Sequence, residues 1–212
     1  MALSKVNFNS LNLTPTASKT VVFNSNNNGI EAGDVGGALT LISTQTASSS
    51  STIDFTSGID STYKEYIFKF IDIHPATDDA RLTFQADTGT NTNYNITTTN
   101  SSFRAYHTEA DDGASLDYQT GNDLAQSTSF IRLSESIGND NDESASGELK
   151  IFLPSSSVFV KHYIARVPSA SAMIRDNYIA GYFNTTTALT RFQFKMSSGN
   201  IDSGTIKMYG VT

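Results

Sequence analysis

The chain has no cysteine and no tryptophan, only four prolines, and charged residues at just 17% of its 212 positions. Without cysteine, disulfide staples, thiol chemistry and zinc knuckles are excluded directly. Without tryptophan, an extended sugar-cleaving groove loses its usual aromatic platforms. Carboxylates outnumber cations to give a formal net charge of −7 and a pI of about 4.8, so nucleic acid is not an expected partner. No apolar run approaches the roughly 20 residues that span a bilayer, so membrane insertion is not expected either. Neither a Gly-x-Ser-x-Gly elbow nor a glycine-rich phosphate loop occurs. The opening Met1-Ala2-Leu3-Ser4-Lys5 lacks the charged-then-apolar layout of a secretory signal. Together with the missing thiols, this leads us to expect assembly in a reducing cytoplasm and work outside it.

What the chain has instead is hydroxyl and amide. Serine, threonine and asparagine make up about a third of it, well above ordinary globular usage. The most informative stretch is Tyr63-Lys64-Glu65-Tyr66-Ile67-Phe68-Lys69-Phe70-Ile71-Asp72-Ile73, almost wholly aromatic or β-branched. Read with a period of two, Tyr66, Phe68 and Phe70 point one way, while Tyr63, Ile67, Ile71 and Ile73 point the other. A strand apolar on both faces belongs in the middle of a sheet. Arg81–Ala86 alternates with Leu82, Phe84 and Ala86 inward, and Arg191–Met196 alternates without exception. Further strands are expected at Leu39–Ser43, Ile53–Phe55, Ser129–Leu133, Glu148–Leu153, Val158–Val167, Ala172–Phe183 and Gly204–Gly210. About nine or ten strands at this turn spacing, with no convincing helix, predict an all-β, jelly-roll-like β-sandwich over residues 37–212.

Residues 1–36 read differently. Two apolar patches, Val6/Phe8/Leu11/Leu13 and Val21-Val22-Phe23, lie among asparagines and glycines. Such a segment buries too little surface to offset its conformational entropy alone. The expectation is an extended N-terminal arm, ordered by adding a strand to a neighbouring subunit or left as a tail with one edge strand. A long polar excursion from Asp87 to about Ser127, with short strands expected around Tyr94–Thr98 and Phe103–His107, is the other unusual feature, since long connections in compact domains tend to be functional or mobile. Its aromatics Tyr94, Phe103, Tyr106 and Tyr118 are either a sugar-stacking surface patch or packing beneath a loop.

No constellation promises catalysis. His162 lies within a strand pattern, and His74 precedes Pro75 at a strand end. His107 beside Glu109, Asp111 and Asp112 has no ligand spacing of a known metal cage. Asp140-Asn141-Asp142-Glu143 offers oxygens suited to a hard cation but departs from the helix–loop–helix calcium pattern, and reads as a solvated acidic loop. We therefore expect no catalytic residue, no resident metal and no cofactor.

Ile53-Asp54-Phe55-Thr56-Ser57-Gly58-Ile59-Asp60-Ser61-Thr62-Tyr63, running into Tyr66-Ile67-Phe68-Lys69-Phe70, resembles the opening of β-sandwich domains in tailed-phage virion proteins, notably those of marine and cyanobacterial phages. Ser203-Gly204-Thr205-Ile206-Lys207-Met208-Tyr209-Gly210 is similar to their last strand, and Met1–Val6 to the openings of phage tail and appendage proteins. The resemblance implies a non-enzymatic virion component, a capsid decoration protein or a tail appendage. It also implies virion proteins as partners and a homo-oligomer, often a trimer. A receptor-binding tip that takes host surface glycans is the alternative, and a glycan hydrolase comes last.

Overall fold

The computed structural model describes residues 19–23, 30–34 and 39–211, and every regular element among them is a β-strand. The chain divides into two units, Met1–Ala38 and Leu39–Thr212. In the first, β1 (Lys19–Phe23) pairs antiparallel with β2 (Ile30–Asp34), placing Lys19 opposite Asp34 and Phe23 opposite Ile30. Val21, Val22 and Phe23 therefore already have a partner strand within their own segment, where the sequence leads one to expect an extended arm. Val6, Phe8, Leu11 and Leu13 lie outside the described residues.

The second unit carries β3 (Leu39–Thr46), β4 (Ile53–Phe55), β5 (Glu65–Pro75), β6 (Leu82–Thr88) and β7 (Thr98–Thr108). These are followed by β8 (Ala114–Tyr118), β9 (Leu124–Ser127), β10 (Ile131–Arg132), β11 (Ala145–Phe152), β12 (Lys161–Ala170), β13 (Met173–Phe183), β14 (Leu189–Met196) and β15 (Ile201–Val211). They form a nine-stranded sheet in the order β3-β15-β5-β11-β12-β13-β7-β8, with β9 also paired to β7, and a four-stranded sheet β10-β6-β14-β4. The two sheets share one apolar core, so this unit is a β-sandwich. The sheets are unequal, whereas a jelly roll is built from eight strands in two Greek keys.

β5 lies between β15 and β11, in the interior of the large sheet. Its Tyr66, Phe68 and Phe70 are buried against the small sheet. Phe68 makes edge contacts with Phe55 at 5.2 Å and Phe192 at 5.3 Å between ring centroids, and lies 5.2 Å from the tilted ring of Phe194. Phe194 on β14 also meets Phe70 at 5.4 Å and Phe84 at 6.2 Å, so one aromatic seam fastens the sheets together. Edge and offset geometries of this kind add to the stabilisation from area burial alone.

The alternation of β5 does not run to its end. Asp72 adopts a left-handed backbone (φ 50°), and the pairing to both neighbours shifts register there. The bulge reverses the phase of the strand, so Ile73 enters the core instead of joining Ile71 on the outer face as simple alternation predicts. Opposite it, Gly204 has φ 116°, and a Cβ at that position would come within 2.6 Å of the Asp72 carbonyl oxygen.

The polar excursion contains β7, β8 and β9, far more strand than its composition announces. Buried polar groups tie its first part to the small sheet. Gln85 is fully buried, and its Nε2 donates to the carbonyls of Ile96 (3.1 Å) and Ser129 (3.1 Å) while its Oε1 accepts from Ala86 N (2.8 Å). Asp87 accepts from Thr88 N and Tyr94 N, each at 2.8 Å. The outer face of β6 is consequently covered by chain, where alternation alone would leave it solvated.

Two substitutions test this frame. Phe68→Ala is expected to cost about 3–5 kcal/mol, through a cavity at the centre of the seam. Gly204→Ala is expected to cost about 1–3 kcal/mol, through strain at the bulge. Urea unfolding of both variants measures these losses, and a near-neutral Gly204→Ala would remove the bulge argument.

Candidate interaction face

The two sheets differ in what covers their outer surfaces. Loop chain overlies β6 in the small sheet, whereas the outer face of the large sheet carries a row of side chains from successive strands. By register, Tyr118 (β8) stands opposite Phe103 (β7), Phe103 opposite Tyr178 (β13), and Tyr178 opposite Arg166 (β12). The row continues through Glu148 on β11 and Lys69 on β5 to Lys207 on β15.

Its geometry is that of a stack running across the strands. The rings of Phe103 and Tyr178 are parallel within 1°, with centroids 4.9 Å apart, and the Arg166 guanidinium lies 5.0 Å over the other face of Tyr178. Arg166 is gripped by Asp176, with Nη2 donating to Oδ2 at 2.6 Å and Nε to Oδ1 at 3.0 Å, while the Tyr178 hydroxyl donates to Asp176 at 3.0 Å. These bonds hold the Asp176 carboxyl below the usual carboxylate range, the Arg166 hydrogen bond being the main cause. Lys69 and Lys150 both lie near Glu148, at 3.9 Å and 3.3 Å. The charges of the row are thus largely paired within it.

Apolar side chains remain around this stack. Beside it a hollow of about 300 Å³ is lined by Phe103, Tyr178, Ile164, Ala180 and the stems of Lys150 and Arg166, with Glu148 at its rim. Phe103 (43%), Ile164 (45%) and Tyr118 (53%) are substantially exposed, and Leu116 more so at 72%. Ile71 and Ile174, with Leu39 and Leu41 near the far edge, occupy outward positions on the same face. The remaining exposed large hydrophobics of this unit, Leu153, Val158 and Phe159, cluster in the β11–β12 loop.

Of the four aromatics singled out in the excursion, Phe103 and Tyr118 come together on this face. Tyr94 does not. It is 5% exposed, held under the loop by the Asp87 hydrogen bond to its N–H, and it packs as core, which corrects its reading as a surface contact. Tyr106 points to the opposite face of β7, where the Arg104 guanidinium lies 5.3 Å from its ring centre. Tyr178 takes the place of Tyr94 and Tyr106 in the row. The alternation Asp176/Tyr178/Ala180/Tyr182 marks it as outward-facing in the sequence, but only the pairing of β13 with β7 places it against Phe103.

On the side of Tyr106, a polar network closes that end of the unit. Buried Glu135 accepts from Asn122 Nδ2 and lies 3.7 Å from Arg81 and 3.6 Å from Arg104. Arg132 donates to Asn122 Oδ1 at 2.7 Å, and Arg175 donates to the Ser136 carbonyl at 3.2 Å. Burial chiefly lowers the Arg175 pKa. Ser134, Glu135 and Ser136 are all buried, a stretch that polar composition hides.

His107 and His162 stand on the outer face of the large sheet, opposite Ile174 and Tyr182, while His74 lies near the end of β5. His107 Nε2 is 3.1 Å from Asp111, and His74 Nδ1 is 3.7 Å from Asp202. His74 also borders an acidic hollow of about 340 Å³ with Asp72, Asp142, Glu143 and Asp202. Among the described residues, no group of three or more His, Cys, Asp or Glu side chains is arranged to hold a metal ion. The second unit is in sum a two-sheet β-sandwich with one ordered, partly apolar face open to solvent. Compared with protein-family models, with curated proteins and with solved structures, the chain matches none.

The placement of Tyr94 is testable by pH. Burial, followed by the nearby Asp54 carboxylate, pushes its phenol up from 10.0 to about 12. Folding therefore favours the protonated phenol, so its contribution is full below about pH 10 and is lost as the pH rises through about 12. Urea midpoints measured between these pH values are expected to fall less steeply for Tyr94→Phe than for the unaltered chain. An identical decline in both would place the phenol in solvent.

Proposed function

We propose that this chain is a non-enzymatic structural protein of a phage particle, displayed as a capsid decoration protein and held by contacts with other virion proteins. The observation that carries this reading is the open face of the large sheet. It gathers exposed apolar side chains on a surface whose charges are largely paired already, as Arg166 is with Asp176 and Lys150 with Glu148. Such a face can be covered by another protein without stranding a charge in the interface. A catalytic cleft needs the opposite, a concave site with unpaired reactive groups. The likeness of the Ile53–Phe70 and Ser203–Gly210 stretches to phage sandwich domains supplies the setting, and the separate hairpin unit is available for attachment.

Immunogold electron microscopy of purified particles, with antibody raised against the full chain, tests this proposal. Label spread over the head is the expected result, and unlabelled particles would remove the virion assignment.

One observation favours a second reading, a tail appendage that binds host surface glycans. Tyr178 has both ring faces occupied, but Phe103 has one ring face turned away from Tyr178, toward the exposed Tyr118. If this pair stacks on sugar, Phe103→Ala and Tyr118→Ala should each weaken cell or glycan binding by roughly tenfold, at an unchanged melting temperature. Label confined to the tail would accompany that result.

A further inference from the structure

At the end of the sandwich that holds Tyr106, cations gather where carboxylates are few. The chain has six arginines, and four of them, Arg81, Arg104, Arg132 and Arg175, belong to the polar network there. The carboxylates that meet them are buried Glu135 and, at the rim, Asp117, which lies 3.2 Å from Arg104. Arg81 reaches only Glu135, at 3.7 Å. Among the described residues, Arg132 and Arg175 hydrogen-bond carbonyl oxygens and form no ion pair. Cations are therefore in excess here, in a molecule whose net charge is −7.

A second observation falls on the same place. Among the described residues, three buried side-chain polar atoms have no hydrogen-bond partner in the chain: Arg81 Nε, Ser169 Oγ and Asn177 Oδ1. Ser169 and Asn177 are 1% and 2% exposed. By register Ser169 stands opposite Arg175, and Asn177 opposite Arg104, so these four share the inner face of the large sheet. The segment 136–138 joins Arg81 to them. Ile137 N donates to the Ala80 carbonyl at 2.9 Å, Gly138 N to that of Ala170 at 3.3 Å, and Arg175 to that of Ser136 at 3.2 Å.

We infer that this end of the sandwich binds a small oxyanion of carboxylate type, held by Arg175 with Arg81, Arg104 and the Ser169 hydroxyl. Charge chooses the ligand. Water would satisfy Ser169 and Asn177, but it cannot balance three guanidiniums gathered around one buried carboxylate. Guanidinium forks match the paired oxygens of an oxyanion, and a serine hydroxyl donates one bond more. Asn177 Oδ1 is an acceptor and is not part of the anion's shell. The oxyanion is either free or the acid group of a sugar. The inference goes beyond the proposed function, since it concerns the inner face of the large sheet and holds whether or not the chain belongs to a phage.

Sodium formate and sodium glucuronate, each titrated into the full chain against sodium chloride at equal ionic strength, test the site. The readout is the NMR shift of the arginine Nε–H groups. Saturable movement of Arg81, Arg104 and Arg175 is expected, with Arg166 and Arg191 unmoved. Arg175→Gln should raise the half-saturating concentration at least ~10-fold, whereas Arg191→Gln, which removes the same charge from the small sheet, should not. Ser169→Ala deletes an unpartnered hydroxyl, so it is expected to weaken the anion roughly threefold without lowering the melting temperature. Saturation by glucuronate at a lower concentration than formate supports a sugar acid as the ligand, and the reverse order supports a free anion. Parallel, unsaturable movement of every arginine overturns the inference, because it reports screening alone. No response to either salt, or the same half-saturation in Arg175→Gln and the unaltered chain, overturns it as well.

Discussion

The sandwich depends on one contact, the aromatic seam between Phe68 of the large sheet and Phe194 of the small one. The small sheet has four strands, two of them very short, and it cannot fix its own position by backbone pairing to the large sheet. Its orientation is set by the rings that meet across the interface: Phe55, Phe192 and Phe194 against Phe68, and Phe84 against Tyr163 and Phe183. Rings are stiff and carry few rotatable bonds, so they transmit this fit at low entropic cost. The bulge at Asp72 serves the same contact, since it returns Ile73 to the core when continued alternation would have turned it outward.

Because the seam fixes the inner faces, the two outer faces are free to serve different ends. The small sheet is closed over by chain held with fully satisfied polar groups, Gln85 and Asp87 foremost. The large sheet instead displays a row in which most charges are held by a neighbour and the Phe103 and Tyr178 rings are stacked. Tyr178 shows the consequence most clearly. Phe103 and Arg166 occupy its two faces and Asp176 its hydroxyl, so it adds rigidity and apolar edge to the surface but offers no free platform. A face of this kind suits a broad, flat contact better than capture of a small molecule. The uncharged edge of β3 continues that surface to its margin.

Much of the architecture is legible in the residues. Alternation in Arg81–Ala86 and Arg191–Met196, and the doubly apolar Tyr63–Ile73 stretch, identify strands because a pleated backbone turns successive side chains to opposite faces. Where a residue's state depends on what covers it, the same rule fails. Gln85 and Glu135 are polar and buried, and their burial follows from partners distant in the chain, Ile96 and Ser129 for one, Asn122, Arg81 and Arg104 for the other. The strands β7, β8 and β9 are hard to read because threonine, serine and asparagine leave no hydrophobic period, even though β7 pairs along its length with β13, and β8 and β9 pair with β7.

The sequence by itself determined the all-β class, the acidity and the freedom from thiol chemistry, since these follow from side-chain type and local periodicity. Tertiary structure alone decided that Phe103 stands opposite Tyr118 and stacks on Tyr178 while Tyr94 is buried and Tyr106 faces away. The four aromatics look alike in composition. Strand neighbours are set by which strands find each other across long stretches of chain, as between Phe103 and Tyr118 or Tyr178. Pairing at that range is chosen by the whole core and not by local preference.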